Sequence, residues 1–166
     1  MKGSARNWLF AGSFAAALIL QLMSLPSGLA PLKPYWLALV LAYWAIEAPE
    51  RVGLGFALLL GFAGDLLVGD LLGEQAMRLV ILTFIVLRFR ARLRFFPMWQ
   101  QTLAILALLL NDRVVVMMIR GFAGDPMPPA GYWLGALTGM FAWPLLCLLL
   151  GDLRSRLRAK ARARTP

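Results

Sequence analysis

The sequence predicts an all-α integral membrane protein with six transmembrane helices, and three observations lead there. Of 166 residues, 61% are hydrophobic and only 15% are charged, against about 25% charged in soluble domains. Mean hydropathy is +0.74, so lipid is the solvent for most of the chain. The apolar runs are separated by short breaks rich in Pro, Gly or Arg. The composition also narrows the chemistry. There is no histidine and a single cysteine, which removes histidine acid–base catalysis, serine–histidine triads, most transition-metal sites and any internal disulfide. Cys147 sits in an apolar run and reads as a small buried hydrophobe. The net charge of +9 does not point to nucleic acid, because the basic residues flank apolar spans and no soluble domain is left to present them.

Taken in order, Met1–Asn7 carries Lys2 and Arg6, and Trp8–Leu25 follows without a charge. Gly28-Leu29-Ala30 resembles a signal cleavage site, but the run is longer than a signal core, so an uncleaved first span is expected. Pro26–Pro34 is a turn holding Lys33. Tyr35–Ala48 is the second span, short for a crossing helix. Glu47 to Arg51 turns the chain into the third span, Val52–Leu67. Val68-Gly69-Asp70 is a tight link to the fourth, Leu71–Leu87. Arg88, Arg90, Arg92 and Arg94 make a basic loop suited to anionic phospholipid headgroups or to a cytoplasmic partner. Pro97–Ile119 is the fifth span, Arg120–Ala130 a Gly/Pro-rich loop containing Asp125, and Gly131–Leu150 the sixth span. Residues 1–153 thus form one transmembrane domain and 154–166 a basic tail with Arg154, Arg156, Arg158, Lys160, Arg162 and Arg164.

Six crossings put the N-terminus, the 47–51 turn, the 88–94 loop and the tail on one side, together with 13 of the 17 Lys and Arg residues. Lys33 and Arg120 lie opposite, and Arg78 and Arg113 fall inside spans. The positive-inside rule then places both termini in the cytoplasm. If Tyr35–Ala48 did not cross, the arginine loop and tail would lie opposite Lys2 and Arg6.

The polar residues inside spans carry the functional question, since ionisable groups at that depth need a partner or water. The stretch Gly61–Arg78 holds Asp65, Asp70, Glu74 and Arg78, with Gly61, Gly64, Gly69 and Gly73 among them. Glu74 and Arg78 are four apart with the acid first, the favourable order on a helix. Asp112 and Arg113 interrupt the fifth span. At about 1.5 Å per residue, Asp112 falls roughly 20 Å from the cytoplasmic end of its helix, so the whole set occupies the outer half of the bilayer. Three readings remain open: an ion-pair network that fixes helix packing, an outward-facing pocket for a small ligand, or a docking surface for a partner's transmembrane helix. A proton relay is disfavoured, because no carboxylates continue into the cytoplasmic half. Gly131, Gly135 and Gly139 form a small-xxx-small face, as do Gly53, Ala57 and Gly61. These faces suit packing within the protein or against a partner's helix. No phosphate loop, dinucleotide fingerprint, metal-ligand cluster, nucleophile–base pair or inverted repeat is present in the sequence.

With Trp36, Tyr43-Trp44 and Pro49 ahead of GFAGDLLVGDLLGEQA and an arginine-rich loop, the chain resembles the bacterial rod shape-determining protein MreD family over nearly its whole length. The most specific part is Gly61, Asp65, Leu66, Leu67, Gly69, Leu72 and Gly73. The chain departs from the family pattern after Gly73, where Glu74-Gln75 stands in place of a histidine. The resemblance implies a non-enzymatic scaffold of the bacterial inner membrane with no cofactor and no catalytic residues. Its implied partners are an MreC-like membrane-anchored periplasmic protein and, through it, MreB filaments and a wall synthase made of a RodA-type glycosyltransferase and a penicillin-binding transpeptidase. It also implies a fold similar to the substrate-binding subunits of energy-coupling-factor transporters. That similarity keeps a second function in view, a transporter-like small-molecule binder using Asp65, Glu74, Arg78 and Asp112. An enzyme of lipid metabolism is disfavoured by the missing histidines and metal carboxylates.

Overall fold

Contacts between distant residues sort the helices into two ends. The computed structural model describes residues 2–26, 28–69, 72–124, 126 and 128–162, so Asp70, Asp125 and Arg164 lie outside the described residues. Six α-helices occur among them: α1 Lys2–Leu22, α2 Trp36–Glu47, α3 Leu54–Val68, α4 Glu74–Leu93, α5 Met98–Phe122 and α6 Leu134–Arg162. Short 3₁₀ turns, Ala30–Leu32 and Ala130–Trp133, precede α2 and α6. At the first end, Arg154 pairs with Glu47, Arg51 donates to Asn7 at 2.8 Å, and Arg90 donates to the Ile46 carbonyl at 3.3 Å. At the other, Lys33 donates to the carbonyls of Gln21 and Met23 and so satisfies the C-terminus of α1. Partial burial holds the pKa of Lys33 below the usual lysine value.

The centre of the bundle is α2. Its residues Leu37 to Ile46 are all buried, as expected of a helix that is hydrophobic all round. It packs on α1, α4 and α6. Twelve residues span about 18 Å, less than the roughly 30 Å of a bilayer core. Trp44 donates its indole N–H to Ser13 Oγ at 2.8 Å. The rings of Phe10, Phe14 and Phe56 gather beside it with centroids 5.0–5.4 Å apart, which ties α1 and α3 to α2.

Two helices, α5 and α6, are long and apolar enough to cross a membrane; the apolar parts of α1 and α3 are shorter. The outer flanks are apolar, with Leu66 73% and Phe122 92% exposed. Such a surface is unusual for a protein bathed in water.

Several boundaries differ from the expectation, two of them at arginine-rich stretches. Arg88, Arg90 and Arg92 are not in a loop but in the last turns of α4, and Arg94 is its C-cap. Arginine is a good helix former, and a cation at a helix C-terminus is favoured by the macrodipole. Likewise α6 runs on to Arg162 through the basic residues expected to form a tail. Hydropathy marks where apolar character ends, not where the helix does.

Candidate functional site

The site begins with the close approach of α3 and α4. A Cβ at Gly61 would lie 2.2 Å from Ala76 Cα, so the two backbones touch there. One turn on, Asp65 is buried at the end of α3. Its Oδ2 accepts the Gly73 N–H and its Oδ1 the Gln75 N–H, both at 2.8 Å. Gly73 has φ +97° and no side chain to cap α4, so Asp65 caps the next helix in the chain. Asp65→Ala is therefore expected to cost about 2 kcal/mol, and Asp65→Asn less because one acceptor oxygen remains. Thermal unfolding of the detergent-solubilised protein checks the order; equal melting points for wild type and both variants would contradict it.

The next residue, Glu74, opens α4 with its side chain 1% exposed. Its Oε1 lies 3.6 Å from Arg78 Nη1 and its Oε2 3.3 Å from Arg120 Nε. Arg78 turns its fork on Asp112 of α5, Nε to Oδ1 at 2.8 Å and Nη2 to Oδ2 at 2.7 Å. This two-bond geometry is the strong form of an arginine–carboxylate pair. The guanidinium also sits 4.2 Å over the ring of Tyr35, whose hydroxyl reaches Gln75 Oε1 at 3.5 Å. Arg78 thus bridges α2, α4 and α5 with its charge matched on one side and its face covered on the other.

Of the residues singled out in the sequence, Asp65, Glu74, Arg78 and Asp112 are brought together. Arg113 points elsewhere: its guanidinium lies 4.7 Å over the Tyr132 ring, and its backbone carbonyl accepts the Tyr132 hydroxyl at 3.2 Å. The glycine face turns inward. A Cβ at Gly135 would lie 2.2 Å from Arg113 Nη2 and 2.9 Å from the Lys33 carbonyl oxygen, and one at Gly139 would lie 2.5 Å from Leu109 Cδ1. Gly131 belongs to the 3₁₀ turn and touches Pro31 at ordinary distance. Arg88, Arg92 and Arg94 are exposed and Arg90 half-buried at the opposite end.

Sequence reasoning missed Tyr35, Gln75 and Arg120. Arg120 follows Asp112 by eight residues, two turns along one helix face, and that spacing was the available signal. Its side chain is 45% exposed, which makes it the outward edge of an otherwise buried cluster. Nothing in the local sequence marks Tyr35. Chemically the arrangement is a brace: each carboxylate faces a guanidinium or backbone N–H groups, although the buried Glu74 Oε2 meets Arg120 as an ion pair without a hydrogen bond. Among the described residues, no group of three or more His, Cys, Asp or Glu side chains is placed to hold a metal ion.

An all-helical bundle with apolar flanks, two helices of membrane-crossing length and an ion-paired interior at one end defines the class, a helical membrane protein. The family model for the rod shape-determining protein MreD matches residues 2–153. The chain is also 30% identical over 145 residues to the rod shape-determining protein MreD of Haemophilus influenzae, covering 87% of this chain and 90% of that protein. The chain belongs to the MreD family and so has a role in determining rod shape. No solved structure matches it.

Proposed function

We propose that this protein is a non-enzymatic scaffold of the cell-elongation machinery in the bacterial inner membrane. In this reading all six helices are embedded, with both termini cytoplasmic, and a lateral apolar face binds the transmembrane helix of an MreC-like partner. Through that partner the scaffold serves lateral wall synthesis. The alternation of the helices supports the topology, because it collects the basic residues at one end.

The observation that carries the scaffold reading is the pairing of the candidate polar groups with one another. Asp65 is used on the start of α4, Asp112 on Arg78, and Glu74 on two arginines. A small ligand would have to displace these contacts, so the outer-end cluster is an internal brace. Exposed apolar side chains remain on several helices, α6 among them, and in this reading the partner takes the outer flank of the α3–α4 hairpin. There Leu59 and Leu66 are exposed on the side of α3 turned away from Gly61 and Gly64, with Leu58 and Phe62 less exposed at its edge.

Photo-crosslinking side chains placed at positions 59 and 66 test this in the native host. Crosslinks to a single-span periplasmic protein are expected there, and none from control positions 145 and 149 on α6. Crosslinks from the α6 positions alone would move the interface to the other side of the bundle. A lack of protein adducts from either helix would remove the scaffold reading.

A further inference from the structure

A cavity of about 600 Å³ opens at the end of the bundle opposite the brace, between α2, α5 and α6. Its volume falls in the usual range for small-molecule sites, about 300–1,000 Å³. Ile46 and Met98 give it an apolar side, and Glu47, Trp143, Arg154 and Arg158 give it a polar one. Trp143 is buried, and its indole Nε1 has no hydrogen-bond partner. The same is true of Arg154 Nε, although the Nη1 of that residue pairs with Glu47. Buried donors without an acceptor are rare in folded proteins. Both groups can donate and neither can accept, so an occupant that displaces the side chains now covering them would have to be rich in acceptor oxygens. Two arginines against one carboxylate leave an excess positive charge, which selects an anion.

We propose that this cavity holds the phosphodiester headgroup of an anionic phospholipid, with Trp143 Nε1, Arg154 Nε and Arg158 as donors and the first acyl carbons against Ile46 and Met98. The assignment is independent of the scaffold reading, since it rests on a different end of the bundle and needs no protein partner. Glu47 is part of the design, because it holds Arg154 in place through Nη1 and leaves Nε for the ligand. Arg158, exposed at the rim, meets the phosphate from the open side.

The test uses the full chain in neutral detergent, titrated with phosphatidylglycerol, phosphatidylcholine or glycerol 3-phosphate. Bound lipid is read by native mass spectrometry and stability by melting temperature. Phosphatidylglycerol is expected to be retained and to raise the melting temperature, with phosphatidylcholine much weaker. Trp143→Phe removes one donor while keeping an aromatic ring, and Arg158→Gln removes the rim charge from an exposed position where folding is not at stake. Each is expected to weaken phosphatidylglycerol about tenfold, the worth of one charge-assisted hydrogen bond. Equal binding of the two lipids, or wild-type affinity in both variants, would overturn the site. Glycerol 3-phosphate reproducing the whole effect would overturn the lipid assignment in favour of a soluble phosphate ester.

Discussion

Arg78→Ala is expected to lower the stability of the folded protein by about 3–5 kcal/mol, the usual cost of leaving a buried charge without its partner. Asp112 bears most of this. It is 3% exposed, and both of its oxygens are engaged by Arg78. Glu74 keeps Arg120 and suffers less. Arg78→Lys should fall in between, since an ammonium keeps the charge and loses the fork and the flat contact with Tyr35. Removing both charges at once is a different matter. Arg78→Met with Asp112→Leu should recover most of the loss, because a buried ion pair and a well-packed apolar pair are often close in energy. Unfolding in mixed micelles measures all four proteins. An Arg78→Ala protein as stable as wild type would mean that water reaches the cluster.

Gly61→Val is expected to cost about 3 kcal/mol, the upper end for overpacking. The obstacle at 2.2 Å is the Ala76 Cα, and Ala76 N and Gln75 C lie at 2.5 and 2.9 Å. These are backbone atoms that cannot rotate away, so α3 and α4 must separate. Separation one turn from Asp65 also breaks its 2.8 Å bonds to Gly73 and Gln75, and the brace loosens with it. Gly55→Ala is the matched control. It lies on the same helix with nothing within 4 Å of its would-be Cβ, and it should be neutral or stabilising by about 0.5–1 kcal/mol. Limited proteolysis and melting curves of the two variants read the difference. A Gly61→Val protein that melts with the Gly55→Ala control would show that the helices are not in backbone contact.

The helices were legible because apolar runs and Pro/Gly breaks follow from what each segment must bury. The Glu74–Arg78 pair was legible for the same local reason, four residues on one helix. Asp112 was visible as an expensive residue, yet its partner was not, since Arg78 lies 34 positions away and the pairing depends on how α4 meets α5. Asp65 was read as one more charge of the cluster. Its use as a cap for α4 depends on Gly73 at positive φ and on contact at Gly61, which are properties of the folded hairpin. The ends of α4 and α6 were drawn too short because a hydropathy reading stops at arginine, whereas helix propensity does not. Gly135 and Gly139 had two destinations in the sequence, inside the protein or against a partner, and only packing distinguishes an inward stripe from an outward one.

The central claim is that the ion-paired cluster braces the bundle and that partners meet the protein elsewhere. The most direct test is to purify the Arg78→Met/Asp112→Leu protein from its own host in mild detergent, after checking that it is folded, and to identify what accompanies it. The brace account predicts that the folded double variant brings down the same partner proteins as wild type. A folded double variant that loses them would contradict it and make the cluster itself the docking site.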